Sequence, residues 1–196
     1  MSRTTLISLL AALTVAPLAS AAEPRALYDA GKYEEAVGAV LGQGDPSRPD
    51  LYVAGDSLAK LDRRDEARDV FNRLVGGDDD PWTFIARSAV ATLEGNFDAA
   101  LDAATQAVAL APDDFHAHYQ LGLVQSLRGD FDAAAQSLER ATQIDGDHAY
   151  AHYYAAIAYN KGRRMDRMDR HFQAFVSLAP NAPERTQVQM ILRTLR

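Results

Sequence analysis

Five histidines lie in the second half of this chain, at His116, His118, His148, His152 and His171, and two pairs have spacings that invite chemistry. His148 and His152 are four residues apart, which on a helix puts both imidazoles on one face, as zinc sites often require. His118 and His152 are 34 residues apart and share a position in a repeat described below. No carboxylate is fixed beside either pair by spacing. The chain also has no cysteine, which excludes thiolate metal sites, disulfides, a cysteine nucleophile and a lipidated N-terminal cysteine. The expectation is no metal site, with the histidines filling the edge of a core. The run from Gly76 to Pro81 holds three consecutive aspartates. A calcium loop needs alternating oxygen ligands and a distal bidentate acid, so this run reads as a solvated loop. There is no G-x-S-x-G, H-E-x-x-H or phosphate loop. The residues therefore predict neither an enzyme nor a cofactor.

A second candidate is the stretch KGRRMDRMDRHF, which carries Arg163, Arg164, Arg167 and Arg170. Met165, Met168 and Phe172 recur at three- and four-residue steps as an apolar stripe, which leaves the arginines on the outer face. Asp166 and Arg170 have the favoured i,i+4 sense of an ion pair. The plain reading is a salt-bridged surface. The functional reading is a basic dock for an anionic surface, polymer or acidic partner. Charge is unevenly spread. Residues 23–160 hold 24 acidic and 11 basic side chains, and residues 161–196 hold 3 acidic and 8 basic, so an acidic body ends in a basic segment. An acidic body argues against a nucleic-acid partner, whose phosphates call for Lys and Arg.

The first residues read as a leader. Arg3 precedes the apolar run Leu6 to Ala19, and small residues follow at Ala19 and Ala21. That is the pattern of a signal peptide cleaved after Ala21 or Ala22. The run is short for a membrane span and Pro17 interrupts it, so no transmembrane span is expected after cleavage. The expected location is periplasmic or secreted.

The elements that would position these groups announce themselves as a repeat. LEGNFDAALDAATQA at residues 93–107 and LRGDFDAAAQSLERA at 127–141 begin 34 residues apart and share most of their punctuation. Ala67, Ala100, Ala134 and Met168 are separated by 33, 34 and 34 residues. Small residues also stand at the matching upstream positions, Gly55, Ser88, Gly122 and Ala156. Each unit reads as two amphipathic helices with a glycine turn between them. Gly122 is expected to face Ala134, letting the pair approach closely. Asp80, Asp114 and Asp147 are expected to cap the first helix of a unit, and Asn96 and Asp130 the second. Arg63 and Arg163 stand where a turn glycine is expected. Met168 should fill volume left by Ala155 and Ala156. Asn181 should cap a closing helix with Val188, Ile191, Leu192 and Leu195 on its apolar side.

On these residues the chain resembles the tetratricopeptide repeat family. The resemblance implies an all-α fold, a right-handed superhelical solenoid of antiparallel helix pairs with a C-terminal capping helix. The expected organisation is a signal peptide at 1–22, a partial repeat at 23–47, four repeats at 48–180 and a cap at 181–196. It also implies a concave groove that takes an extended or helical peptide. Carried onto this sequence, the groove positions are Tyr52, Trp82, Ile85, His116, Tyr119, Leu123, Tyr150, Tyr153, Ile157 and Asn160. They lack the Lys, Arg and Asn set with which carboxylate-clamp members hold a chaperone C-terminus. The expected function is a non-enzymatic adaptor in the bacterial cell envelope that holds a protein or peptide partner in an apolar aromatic groove. The alternative is an assembly factor docking through its basic end.

Overall fold

The computed structural model describes residues 23–194; the expected leader and Leu195 lie outside the described residues. The described residues form five successive helix pairs and a closing helix. The pairs are α1 (Pro24–Asp29) with α2 (Tyr33–Leu41), α3 (Arg48–Lys60) with α4 (Arg64–Asn72) and α5 (Pro81–Leu93) with α6 (Phe97–Leu110). Then come α7 (Phe115–Arg128) with α8 (Phe131–Ile144), α9 (Ala149–Lys161) with α10 (Met165–Leu178), and α11 (Arg185–Thr194). Neighbouring helices pack in chain order, so each pair lies against the next. This is the tetratricopeptide-like solenoid that the period calls for.

Size complementarity sets the spacing within each pair. A Cβ on Gly122 would lie 2.5 Å from Leu138 Cγ, and one on Gly55 would lie 2.5 Å from Phe71 Cε1. The notch therefore receives the large residue one turn beyond the small one, and the expected Gly122–Ala134 pairing is corrected to Gly122–Leu138. A helical side chain leans toward its own N-terminus, which shifts the contact by about a turn. In the third pair the sizes are exchanged: Ser88 replaces glycine, and Ala104 stands where Phe71 and Leu138 stand elsewhere. The buried Ser88 hydroxyl donates to the Ala100 carbonyl at 2.9 Å, so no polar group is stranded. Met168 is buried, as are Ala155 and Ala156.

The caps follow chemistry more than repeat position. Asp80, Asn96 and Asp114 accept from the backbone N–H groups of Trp82, Ala99 and Ala117. At α9 the cap is His148, not Asp147; its Nδ1 accepts from Ala151 N–H at 3.2 Å. Asp130 stands at the start of α8 but pairs with Arg128 instead of capping. α11 starts only at Arg185, so Asn181 does not cap it, and Glu184 accepts from the Tyr150 hydroxyl. Gly95 and Gly129 take positive φ in their turns. The equivalent residues are Arg163 and Asp62, with φ of 58° and 56°, so Asp62 and not Arg63 replaces the glycine of its unit.

Candidate functional site

The face expected to form an open groove is largely an internal seam. Tyr52, Ile85, Tyr119 and Tyr150 are buried, between 0% and 3% exposed. Trp82, His116, Leu123, Tyr153 and Ile157 are half-buried, and Asn160 is exposed. The superhelix winds tightly enough that α3 reaches α7 and α9. The Tyr52 hydroxyl donates to Gln120 Oε1 at 2.6 Å, and Lys60 Nζ donates to the Tyr154 hydroxyl at 2.9 Å. α1 closes the seam from the other side. The Tyr28 ring meets Tyr150 edge-on with centroids 5.1 Å apart, and Arg25 pairs with Asp145 at 2.7 Å and donates to the Asp147 carbonyl. Four of the ten expected groove residues are thus core, because burying aromatic area between turns of the superhelix outweighs leaving it in water.

Asp56 lines two of the recesses along the seam. The first, about 220 Å³, opens between α3, α5 and α7. Ala59, Leu93, Leu123 and Leu127 form its apolar wall with Phe71 and Ala89, while Gln120 and Ser126 supply polar edges. Leu127 is 54% exposed at its rim. The Ser126 hydroxyl is buried without a hydrogen-bond partner among the described residues. The second, about 280 Å³, lies under α1 among Tyr28, Tyr52, Asp56, Phe115, His116 and Tyr119.

Burial governs the electrostatics here. It pushes the Asp56 carboxyl up to about 6 against the pull of Lys60, and the tyrosine hydroxyls of Tyr28, Tyr52 and Tyr119 well up. It pushes His148 down to about 3 and moves His116 in the same direction. Lys60 stays charged: burial opposes the charge, but Tyr154 and Asp56 outweigh it.

The histidines divide between structural tasks. His118 Nε2 contacts the Pro112 carbonyl at 2.8 Å, and His152 Nε2 contacts the Gly146 carbonyl at 3.0 Å. The two residues of one repeat position thus fasten the same inter-repeat loop in successive units. His148 and His152 diverge, one to its cap and the other to His171, whose Nδ1 lies 3.0 Å from its own. Among the described residues no group of three or more His, Asp or Glu side chains is placed to hold a metal.

In the basic segment, Arg167 is bound by Glu139 at 2.6 Å and Arg164 lies over the Tyr159 ring. Asp166 approaches Arg167 rather than the expected Arg170. Arg163 and Arg170 are exposed and form no ion pair with the described residues.

Sequence reasoning missed Arg25 and Tyr28 as seam residues. The signal was available: counted back from the turn residue Gly31, Tyr28 occupies the position of Ala59, Thr92, Ser126 and Asn160, and Arg25 that of Asp56 and Leu123. Leu93 and Leu127, one residue further round, were also missed, because an open groove would not have used them.

Stacked helix pairs of near-constant period, wound about one shared face, define a helical-repeat scaffold. The tetratricopeptide repeat family model matches residues 93–149 and again 127–183. Among solved structures the chain is similar to TTC0263, a thermophilic TPR protein from Thermus thermophilus. The identity is 20% over 87% of this chain and 94% of that one, with a TM-score of 0.62. YrrB, a TPR protein with an unusual peptide-binding site, aligns at 20% identity over 87% and 88% of the two chains, with a TM-score of 0.53. The TPR domain of Arabidopsis OM64 aligns at 16% identity over 59% of this chain and 96% of its own, with a TM-score of 0.56. These likenesses carry the fold. No curated protein sequence matches the chain. Among the described residues, no helix is long and apolar enough to cross a membrane.

Proposed function

We propose that this protein is a non-enzymatic adaptor that seats an apolar side chain of a partner polypeptide in the recess between α3, α5 and α7. The family supports a protein-interaction scaffold. One observation carries the finer reading: an exposed Leu127 borders an apolar recess also lined by Ser126, whose buried hydroxyl has no hydrogen-bond partner among the described residues. An apolar pocket with one or two fixed polar groups is the usual composition of a recognition site. A neighbour in fold, YrrB, is described as having an unusual peptide-binding site, which agrees with a peptide ligand here. The leader-like residues 1–22 support export to the cell envelope, and that is where the partner is sought.

A photo-crosslinking residue at Leu127, compared with one at Arg163, tests the reading in cells. The expected result is capture of a discrete protein from position 127, abolished by Leu123→Ala, which trims the recess wall. Capture only from position 163, sensitive to salt, would transfer the site to the basic end.

A further inference from the structure

The cavity under α1 supports an inference that does not depend on the apolar recess. We propose that it binds a small organic ammonium ion, with Asp56 as counter-charge and the rings of Tyr28, Tyr52, Phe115, His116 and Tyr119 as its walls. Its volume, about 280 Å³, suits a ligand of few heavy atoms. The sign of the ligand follows from an account of the nearby charges. Arg25 is engaged by Asp145 at 2.7 Å. Burial holds His116 and His148 neutral. Lys60 directs its ammonium onto the Tyr154 hydroxyl and makes no ion pair with Asp56. Asp50, also lining the cavity, accepts from the Ser47 hydroxyl and adds negative charge. Asp56 is therefore a partly buried carboxylate with no ion-pair partner among the described residues.

Two further groups point to a ligand. Tyr28 and Tyr119, 4% and 1% exposed, line the cavity, and their buried hydroxyls have no hydrogen-bond partner among the described residues. Burial first, and the Asp56 charge with it, opposes their ionisation. An anion would face Asp50, Asp56 and Asp145. A purely apolar guest would leave the carboxylate unsatisfied. A cation meets the carboxylate and the negative faces of the rings together. A small free ammonium ion and a lysine side chain offered by a partner share this chemistry.

Calorimetry and Trp82 fluorescence read the site directly, since the Trp82 ring lies 4.7 Å from the His116 ring in the cavity wall. Three probes suffice: choline, its uncharged carbon isostere 3,3-dimethyl-1-butanol, and Nα-acetyl-lysine methylamide. At least one cation is expected to bind about tenfold or more tightly than the neutral isostere. A preference for choline would indicate a small free ammonium ion as the source, and a preference for the lysine derivative a partner's side chain. Asp56→Asn should erase the advantage while raising the melting temperature, because it removes a buried charge. That opposition separates a ligand role from a structural one. Failure of both cations to bind more tightly than the isostere, no saturable binding of either cation, or undiminished binding to Asp56→Asn would each overturn the proposal.

Discussion

Gly38 and Gly122 are both helical glycines, yet the same substitution should act on them in opposite directions. A Cβ on Gly38 meets nothing within 4 Å, so Gly38→Ala should stabilise by roughly 0.5–1 kcal/mol through backbone entropy. A Cβ on Gly122 would sit 2.5 Å from Leu138 Cγ and 3.2 Å from its backbone nitrogen, which cannot move freely. Gly122→Ala should therefore cost about 1–3 kcal/mol. Urea unfolding of the two variants checks both signs. That Gly122 needed to be small was legible from its recurrence with Gly55, Ser88 and Ala156. Its partner was not, since periodicity identifies the facing helix but not the offset that side-chain tilt imposes. The left-handed turn residue was misplaced by one, at Arg63 instead of Asp62, because both neighbours are polar and neither resembles glycine.

Among the elements, α1 differs most from its counterparts: at six residues it is under half the length of α3. It is held less by its own length than by Tyr28, buried in the seam, and by Arg25, which bridges to Asp145 and Asp147 at the start of the fifth pair. That ion pair is about a third exposed, so Arg25→Ala should lower global stability by less than about 1 kcal/mol. Its effect should be local: faster amide exchange in α1, with α7 and α8 unchanged. Uniform acceleration throughout would mean that α1 is not a separately held element. The short helix was legible as a truncated repeat, and its turn phrase GKYEEA marked where α2 begins. Its docking partner was not legible, because it lies some 120 residues away and no local pattern encodes that contact.

For the whole molecule, pH reports how the buried titrating groups compete. His116, His148, His152 and His171 are pushed down by burial, His148 to about 3 and His171 to about 4. The unfolded chain therefore binds more protons at these sites below about pH 6.5, and stability is lost as the pH falls toward 4. Asp29 and Asp56, both pushed up to about 6 by burial, act in the opposite sense. There the folded state binds the extra protons, and stability is gained as the pH falls through 6. Four sites against two predict a net drop in melting temperature between about pH 7 and pH 5. Asp56→Asn should steepen that drop by removing one opposing site, and an unchanged slope would show that Asp56 titrates normally. The concave face itself was legible from repeat register. Its burial was not, because closure depends on superhelical pitch, a sum of small rotations between pairs set by side-chain volumes throughout the stack.

The seam that joins α3 to α7 and α9, and α1 to the fifth pair, also bears on how the chain comes apart. In an ordinary linear array each repeat touches only its neighbours, so end units can melt while the middle persists. Here hydrogen bonds join residues 68, 94 and 120 positions apart, at Tyr52–Gln120, Lys60–Tyr154 and Arg25–Asp145. Loss of either end therefore weakens the other. Denaturation should be one concerted transition, with far-ultraviolet circular dichroism and Trp82 fluorescence tracing the same curve. Refolding should be slow for a helical protein, because these distant contacts form only after the intervening repeats are in place. Separated midpoints for the two signals would show that the seam does not couple the ends. Coincident midpoints would mean that the protein has exchanged the modular stability of a repeat array for the all-or-none behaviour of a globular domain.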